Sequence, residues 1–340
     1  MFYQRMCKEF EEDYNIKPED NISYEYFTTI WAEHLPEFKI PKTSEFVECS
    51  ICAQLKEDRN RAKTKQEKEI ISELLKKHFV QVETERKVYH ATREQARFEP
   101  DEIMCIIQDG MDQKKTAIPR LVNEDKMTSL LARIRLHITG NIIHTNVPGG
   151  KIIPAYVDLL NYPHDSNLSM HLLLQTLFDN RARLSRCLFT QLDNCYRENK
   201  NRYMLSLAHV LVQYKVFDMV DLHFLPVGHT HEDIDQLFSC ISRHLKKTNI
   251  YTMDDMERAV MNSYNVPVFV KHVEGVFDIK KWLLPHMVKN FKGQSKPLHF
   301  QFKEFDGKVR MRYRHRSTSN WRPVLQFKDD DFTPIEESKG

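Results

Sequence analysis

Apolar side chains recur at helical spacing through the first hundred residues. They mark one side of a predicted helix over 22–38, and they recur along a charged segment over 53–97 that contains neither Gly nor Pro. This spacing is typical of amphipathic helices, in which about 3.6 residues complete a turn. We therefore expect 1–99 to form a helical region, with one long helix or two paired helices over 53–97.

After residue 100 the pattern changes to short apolar runs that alternate with amphipathic segments. Predicted strands cover 103–107, 130–139, 142–145, 152–159, 187–192 and 220–227. Predicted helices cover 165–181, 199–217 and 230–245. Antiparallel strands followed by alternating helices and strands indicate an α/β fold, with helices on the faces of a mixed sheet. We assign 100–250 to this core.

The C-terminal part, 251–340, predicts a helix over 252–264 and then a small β-rich tail. Two alternating runs between 299 and 316 flank Asp306-Gly307. Asp-Gly between alternating runs is a strong hairpin signal, because both residues accept positive φ. We expect a basic β-hairpin here.

Composition narrows the class of protein. Of 340 residues, 41% are hydrophobic and 29% charged, with only 9 Gly and 14 Pro, which suits a globular chain of two or three domains. No apolar run approaches the roughly 20 residues of a membrane span, and the start carries charges where a signal peptide is apolar. The seven scattered Cys predict a reducing compartment, so we expect neither secretion nor a membrane partner.

Three acidic positions fall at comparable places in the predicted core. Asp109 ends its first strand, Asp193 follows the strand over 187–192, and a group of acids at 232–235 opens the last helix. If those two strands are parallel neighbours, Asp109 and Asp193 lie side by side, and the helix can bring a third carboxylate to them. Grouped carboxylates bind Mg²⁺, and two such ions can promote phosphodiester chemistry.

Helix geometry favours Asp235 as the third acid. At about 100° per residue, Asp235 borders the apolar stripe that includes Ile234 and Phe238, whereas Glu232 points away from it. A structural explanation stays open for all of these acids, because the helix dipole stabilises negative charge in a first turn.

Cys49-x-x-Cys52 resembles half of a zinc site, which His78 or His90 could help to complete. Zinc prefers four nitrogen or sulfur ligands, commonly in two closely spaced pairs. The two histidines are too far apart along a helix for the usual second pair. The alternative is a pair of reduced, half-buried thiols.

The predicted second strand of the hairpin has two unlike faces. Five cations share one face, and they are Lys308, Arg310, Arg312, Arg314 and Arg316. Such a row is a candidate track for nucleic-acid phosphates. The alternative is an edge strand that its charges protect from aggregation.

Five segments resemble transposon-derived proteins of the DDE/D transposase and integrase group. They are Ile106-Ile-Gln-Asp-Gly-Met-Asp-Gln113, His164-Asp-Ser-Asn167, Gln191-Leu-Asp-Asn194, Arg197-Glu-Asn-Lys200 and Val227-Gly-His-Thr-His-Glu-Asp-Ile-Asp-Gln236. The similarity extends from about residue 22 to about residue 325, and the last segment is its most specific part.

The resemblance implies a ribonuclease H-like core, with a mixed five-stranded sheet and acids on the first strand, fourth strand and last helix. Asp109, Asp193 and Asp235 would then be the catalytic acids that hold two Mg²⁺ or Mn²⁺ ions. Glu232 is a rival for Asp235, and Asp112 a lesser rival for Asp109. It also implies DNA as the partner and a nuclear location, with a homodimer as one candidate assembly.

Other functions remain open. A domesticated, catalytically inactive descendant would bind DNA or chromatin without cleaving DNA. A protein-interaction scaffold would neither bind nor cleave DNA. Gly228-His-Thr-His231 also matches the last metal motif of metallophosphoesterases, but the other motifs of that class are missing. His229 and His231 could orient water, ligate a metal or simply begin a helix.

Overall fold

A computed structural model describes residues 20–34, 49–229, 232–288 and 293–322, with a few single positions before residue 20. The chain divides into two compact units, 1–47 and 48–340. In the first unit the described residues include helix α1 (Tyr24–His34), inside the segment predicted as helical. Phe27 and Trp31, one turn apart, pack ring against ring at 5.7 Å.

The charged segment before the sheet forms two helices, α2 (Ser50–Arg61) and α3 (Lys65–Phe98). The break is fixed by a capping box, in which Glu67 N donates to Thr64 Oγ1 and Thr64 N donates to the Glu67 carboxylate. The buried side chains of α3 include Val82, Tyr89 and Ala96, which recur every seven residues and so share one face. That face packs against the sheet, as the contacts of Tyr89 and Ala96 with its core show.

Eight strands form one mixed sheet within the described residues. They are β1 (Ile103–Gly110), β2 (His137–His144), β3 (Lys151–Asp158), β4 (Cys187–Leu192), β5 (Met219–Phe224), β6 (Val268–His272), β7 (His299–Phe305) and β8 (Lys308–Arg314). Their order is β6-β3-β2-β1-β4-β5-β7-β8. Strands β1, β4 and β5 are parallel, and β2 is antiparallel to both β1 and β3. The predicted mixed α/β class is therefore confirmed.

Two expectations about strands are wrong. The sheet has eight strands rather than five, because β6 pairs with the open edge of β3 and the β7–β8 hairpin pairs with β5. Both additions give hydrogen-bond partners to edges that would otherwise be exposed. The two strands predicted over 130–139 and 142–145 are one strand, β2, which begins at His137 and continues through Gly140 and Asn141 without a turn. Ile134, before this strand, makes an isolated bridge to Ile118 and is 58% exposed.

Helices cover both faces of the sheet, because successive side chains of each strand point to opposite sides. Met104 and Ile106 pack with the helices of one layer, and Cys105 and Ile107 with the other. The first layer holds α4 (Ser166–Asp179), α5 (Arg202–Gln213) and α8 (Ile279–Leu283). The second holds α3, α6 (Asp233–Leu245) and α7 (Met253–Met261). No helix in the described ranges is long and apolar enough to cross a bilayer.

The predicted apolar stripe of α6 is confirmed, and it presses the helix closely onto β2. Ile234, Leu237, Phe238, Ile241 and Leu245 are all buried. A Cβ on Gly140 of β2 would lie 3.1 Å from both Ile234 and Phe238. This contact fixes the start of α6, and with it Asp235, beside the strands.

Candidate functional site

Asp109 and Asp193 lie at the carboxyl ends of neighbouring parallel strands. The register pairs Ile107 with Gln191, so each aspartate follows its paired residue by two positions. Gly110 N donates to the Asp109 carboxylate at 2.8 Å, and Asn199 Nδ2 donates to Asp193 Oδ1 at 2.5 Å. The carboxyl ends of parallel strands are where α/β proteins commonly bind ligands.

Asp235 reaches the same region from the first turn of α6. Glu232 N donates to its carboxylate at 2.9 Å, which holds the side chain at the helix start. Burial raises the pKa of Asp109 well above its usual range, and the negative charges of Asp193, Asp235 and Glu198 raise it further. The structure therefore brings the three predicted acids into one electrostatic neighbourhood, although they are far apart in sequence.

A fourth acid, Glu198, belongs to this neighbourhood and had no predicted role. It is half-buried, and both burial and the charge of Asp193 raise its pKa. Its Oε1 lies 3.5 Å from His164 Nδ1. Its sequence signal was its place in the segment 197–200, which had been noted for family resemblance alone. We call Asp109, Asp193, Asp235 and Glu198 the carboxylate pocket.

Two imidazoles cover the glycine beside Asp109. A Cβ on Gly110 would lie 3.2 Å from His137 Nε2 and 3.4 Å from His164 Nε2, so the missing side chain leaves room for both rings. His137 Nδ1 lies 3.2 Å from Asp158 Oδ2, and within the described residues its buried Nε2 has no hydrogen-bond partner. Burial and the charges of His137 and Arg197 lower the pKa of His164 to about 4. His164 is therefore neutral near pH 7.

Glu232, the rival for Asp235, has different surroundings. Its side chain is 2% exposed, and its two oxygens lie 2.7 Å from Arg86 Nε and 2.8 Å from His90 Nε2, both on α3. Asp112, the rival for Asp109, is exposed and accepts a hydrogen bond from Lys114 N in a short turn. Each rival thus has a structural partner of its own.

Asp233 also connects the start of α6 to α3, as Glu232 does through Arg86 and His90. The Tyr89 hydroxyl donates to Asp233 Oδ1 at 2.6 Å, and His144 Nε2 lies 2.9 Å from Oδ2. Burial alone would raise the pKa of Asp233, but His144, Tyr89 and the charge of Arg93 lower it to about 2. We call Glu232 and Asp233, with these partners, the acid clasp.

Four nitrogen and sulfur ligands meet where α2, α3 and the β5–α6 loop come together. They are Cys49, Cys52, His78 and His229, whose ligand atoms all lie within 4.8 Å of one another. We call them the Cys2His2 group. His90, the other predicted candidate, instead contacts Glu232. The sequence offers His229 as a possible metal ligand, but its spacing gives no link to the cysteines. Thr230 and His231 lie outside the described residues.

The distances in the Cys2His2 group suit one tetrahedral ion. His78 Nε2 lies 3.4 Å from Cys49 Sγ and 3.1 Å from His229 Nε2, and Cys52 Sγ lies 3.3 Å from His229 Nε2. Bonds of about 2.1 Å to nitrogen and 2.3 Å to sulfur would separate the ligands by roughly 3.4–3.6 Å. Burial lowers the pKa of His78, which favours the neutral, ligating form.

Gly228 allows the loop that carries His229 to pack against the backbone of Cys49. Its φ is +78°, and a Cβ there would lie 2.4 Å from the backbone nitrogen of Cys49. Any larger residue would therefore separate the β5–α6 loop from the start of α2. The glycine lets His229 approach the cysteines.

The basic hairpin strand lies at the edge of the sheet. Met311 and Tyr313 are buried, while Arg312 and Arg314 lie on the opposite face. Both arginines stack on Trp321, at 4.7 and 4.5 Å from its ring centre. Lys308 and Arg316 are exposed, and Arg310 is half-buried. Binding of nucleic acid by this face stays a prediction.

Residues 126–319 match the family described as domain of unknown function DUF7869, and the chain belongs to that family. The matched segment includes Asp193, Asp235 and His229, whereas Asp109 and both cysteines of the Cys2His2 group precede it. No curated protein and no solved structure matches the chain.

Proposed function

We propose that this protein is a divalent-metal-dependent enzyme that cleaves or transfers DNA strands, of the DDE/D transposase and integrase type. The observation that carries the proposal is the carboxylate pocket, in which Asp193, Asp235 and Glu198 all raise the pKa of Asp109. Mutual repulsion among acids is unfavourable by itself, and a bound cation relieves it.

The order of elements supports a ribonuclease H-like core. Between residues 103 and 245 the chain runs through three strands, a helix, a strand, a helix, a strand and a helix. This is the order that the family resemblance implies. The acids also fall on the expected elements, with Asp109 on the first strand, Asp193 after the fourth and Asp235 on the last helix.

The donors of the pocket suit Mg²⁺ or Mn²⁺, because these ions prefer carboxylate oxygens. Held by Asp109, Asp193 and Asp235, a pair of ions would activate a water or 3′-hydroxyl and offset the charge of the reacting phosphodiester. His164, next to the pocket, is neutral near pH 7, so its ring places no positive charge beside the proposed cations.

The direct test is cleavage of end-labelled duplex DNA by the full chain in Mn²⁺. Asp193→Asn should lower the cleavage rate by at least about 100-fold, equivalent to about 2.7 kcal/mol of transition-state stabilisation. Asp112→Asn is the matched control, because Asp112 is an exposed aspartate near the same strand end. Cleavage that survives Asp193→Asn unchanged would show that the nuclease activity belongs elsewhere or to a contaminant.

The alternative function is a domesticated protein that binds DNA or chromatin without catalysis. The arginine face of β8 is the observation that favours it. Salt-sensitive DNA binding without cleavage in Mg²⁺ or Mn²⁺ would support this alternative over the enzyme. Either role implies a nuclear location; that location and a homodimeric assembly both stay predictions.

We also infer that the Cys2His2 group binds Zn²⁺ as a structural ion. Two thiolates and two imidazoles select Zn²⁺ over the harder Mg²⁺. An ion bound by the four ligands would connect the α2–α3 hairpin to the loop that leads into α6. His229, the ligand in that loop, is only six residues before Asp235. The ion would therefore hold the third acid of the pocket in position from a distance.

Metal content measured by mass spectrometry tests this assignment. Cys52→Ser should remove one zinc equivalent per chain and lower the melting temperature, because metal-binding free energy contributes to folding. Cys187→Ser is the control, since Cys187 is a half-buried free thiol outside the group. Equal zinc content in wild type and Cys52→Ser would refute the assignment.

A further inference from the structure

The paired strands β5 and β7 carry another group of metal-ligand side chains, distinct from the carboxylate pocket and the Cys2His2 group. His223 and His299 are partners in the antiparallel register, and Glu85 reaches them from α3. The three residues are 0%, 4% and 2% exposed, respectively. Their ligand atoms all lie within 4.8 Å of one another. We call them the Glu-His-His group.

Glu85 and His299 have hydrogen-bond partners among the described residues, whereas His223 has none. Ser317 donates from N and Oγ to Glu85 Oε1, while Glu85 Oε2 lies 2.7 Å from His299 Nε2. His223 Nε2 is 3.8 Å from Oε2, which is too far for a hydrogen bond. Within the described residues neither ring nitrogen of His223 has a hydrogen-bond partner. A buried polar group left without one costs about 1–3 kcal/mol.

A metal ion would satisfy His223, and the spacing suits one. Bonds of about 2.1 Å in a tetrahedral site separate the ligand atoms by roughly 3.4 Å. The two measured separations from Glu85 Oε2, 2.7 Å to His299 and 3.8 Å to His223, bracket that value. Small side-chain rotations would make them equal.

A cavity adjoins the group. It has a volume of about 390 Å³, and its wall includes His223, His299, Asp221, Arg314 and Trp321. This is ample room for several waters or a small molecule, and the polar side chains of a mixed wall offer them partners. Catalytic zinc sites with two imidazoles and one carboxylate keep a fourth position for water or substrate.

We propose that Glu85, His223 and His299 bind a divalent transition ion of the Zn²⁺ class, whose remaining coordination position opens to this cavity. The donor set excludes Mg²⁺ as the preferred occupant, because two of the three ligands are imidazoles. The site shares no ligand with the carboxylate pocket or the Cys2His2 group. Its existence therefore does not depend on the proposed DNA chemistry.

Cobalt titration of the chelator-treated full chain separates the two transition-metal groups. Thiolate ligands give Co²⁺ an intense charge-transfer band, which imidazole and carboxylate ligands do not give. Excess Mg²⁺ in the buffer keeps the carboxylate pocket occupied. We expect the wild type to bind two Co²⁺ per chain, one of which adds visible ligand-field absorption without adding to the thiolate band.

Substitutions test whether the Co²⁺ that lacks the thiolate band is bound by the Glu-His-His group. His223→Gln and Glu85→Gln should each lower the count to one and leave the thiolate band intact, whereas His171→Gln, at a buried histidine on α4, should leave both ions. The double variant Cys49→Ser with Cys52→Ser should keep one ion without the thiolate band. A wild type whose single Co²⁺ shows the thiolate band, or a Glu85→Gln variant that still binds two ions, would overturn the proposal.

Discussion

The carboxylate pocket and the acid clasp contain the same kinds of side chain in opposite electrostatic states. Burial raises the pKa of Asp109, and neighbours of its own charge raise it further. Asp233, only two residues before Asp235, is held by Tyr89, His144 and Arg93, and its pKa is lowered to about 2. Glu232 contacts Arg86 and His90, whereas Asp235, three positions later, is one of the acids that raise the pKa of Asp109.

The difference teaches that the surroundings, rather than the residue type, decide which acids can bind a cation. Acids of the clasp already have donors and positive charge from α3, and a metal ion would have to displace these partners. In the pocket, the charges of neighbouring acids raise the pKa values of Asp109 and Glu198, so a bound metal ion would relieve repulsion. Of the three acids at the start of α6, Glu232 and Asp233 therefore hold the helix against α3, and Asp235 is the candidate metal ligand.

The largest expected effect separates Asp235 from Glu232 in catalysis. In Mn²⁺-dependent DNA cleavage, Asp235→Asn should reduce the single-turnover rate at least about 100-fold, because it removes a ligand of the proposed ions. Glu232→Gln should reduce it less than about tenfold, provided that circular dichroism shows a folded protein at the assay temperature. Equal losses would assign Glu232 to the pocket and break the comparison.

A smaller effect concerns stability. Asp233→Asn should destabilise the protein by roughly 2–3 kcal/mol near pH 7 in urea unfolding, because it leaves Tyr89 and His144 around an uncharged amide. Asp218→Asn is the control, since Asp218 forms an exposed pair with Arg186 and should change stability by less than about 0.5 kcal/mol.

The pH dependence of the Asp233 effect follows from the sign of its pKa shift. The folded pKa of about 2 is below the ordinary value of 3.8, so the charge stabilises the fold at pH values above about 4. That stabilisation is lost as the pH falls toward 2. The difference between wild type and Asp233→Asn should therefore shrink between about pH 4 and pH 2, and a constant difference would point to packing instead.

The smallest expected effect is a gain in stability, in the variant Asp109→Asn. In chelator, Asp109→Asn should raise the melting temperature by about 2 °C near pH 7.5, or roughly 1 kcal/mol, because it removes one member of a repelling group. The raised pKa of Asp109 means that the wild type loses stability as pH rises above about 4, so the gain should vanish below that pH. With Mn²⁺ added, only the wild type should gain stability. A variant less stable than wild type in chelator at pH 7.5 would show that Asp109 has a structural role.

Much of the core could be predicted because it depends on local periodicity. The stripe of α6 indicated which of its sides is buried, and alternating runs indicated the hairpin around Asp306-Gly307, which β7 and β8 form. Side-by-side placement of Asp109 and Asp193 needed one assumption, that two strands are parallel neighbours. The register between β1 and β4 satisfies it.

The metal-ligand groups outside the pocket could not be predicted to the same extent. Cys49, Cys52 and His78 were candidates, but the fourth ligand, His229, lies 177 positions from Cys52. Glu85 and His299 are 214 positions apart, and nothing near either of them in sequence indicates the other. The short motif that contains His229, Gly228-His-Thr-His231, includes no cysteine, so it does not indicate a link to Cys49 or Cys52.

The α/β class, the buried faces of the helices and the acids at the strand ends all follow from the positions of apolar side chains within a few turns or residues, so they can be predicted from sequence. Packing in three dimensions, by contrast, joins eight strands into one sheet, places α3 against Glu232 and Asp233, and brings His229 and His299 to their distant partners. These contacts depend on how whole layers pack, and packing across layers leaves no regular spacing along the chain.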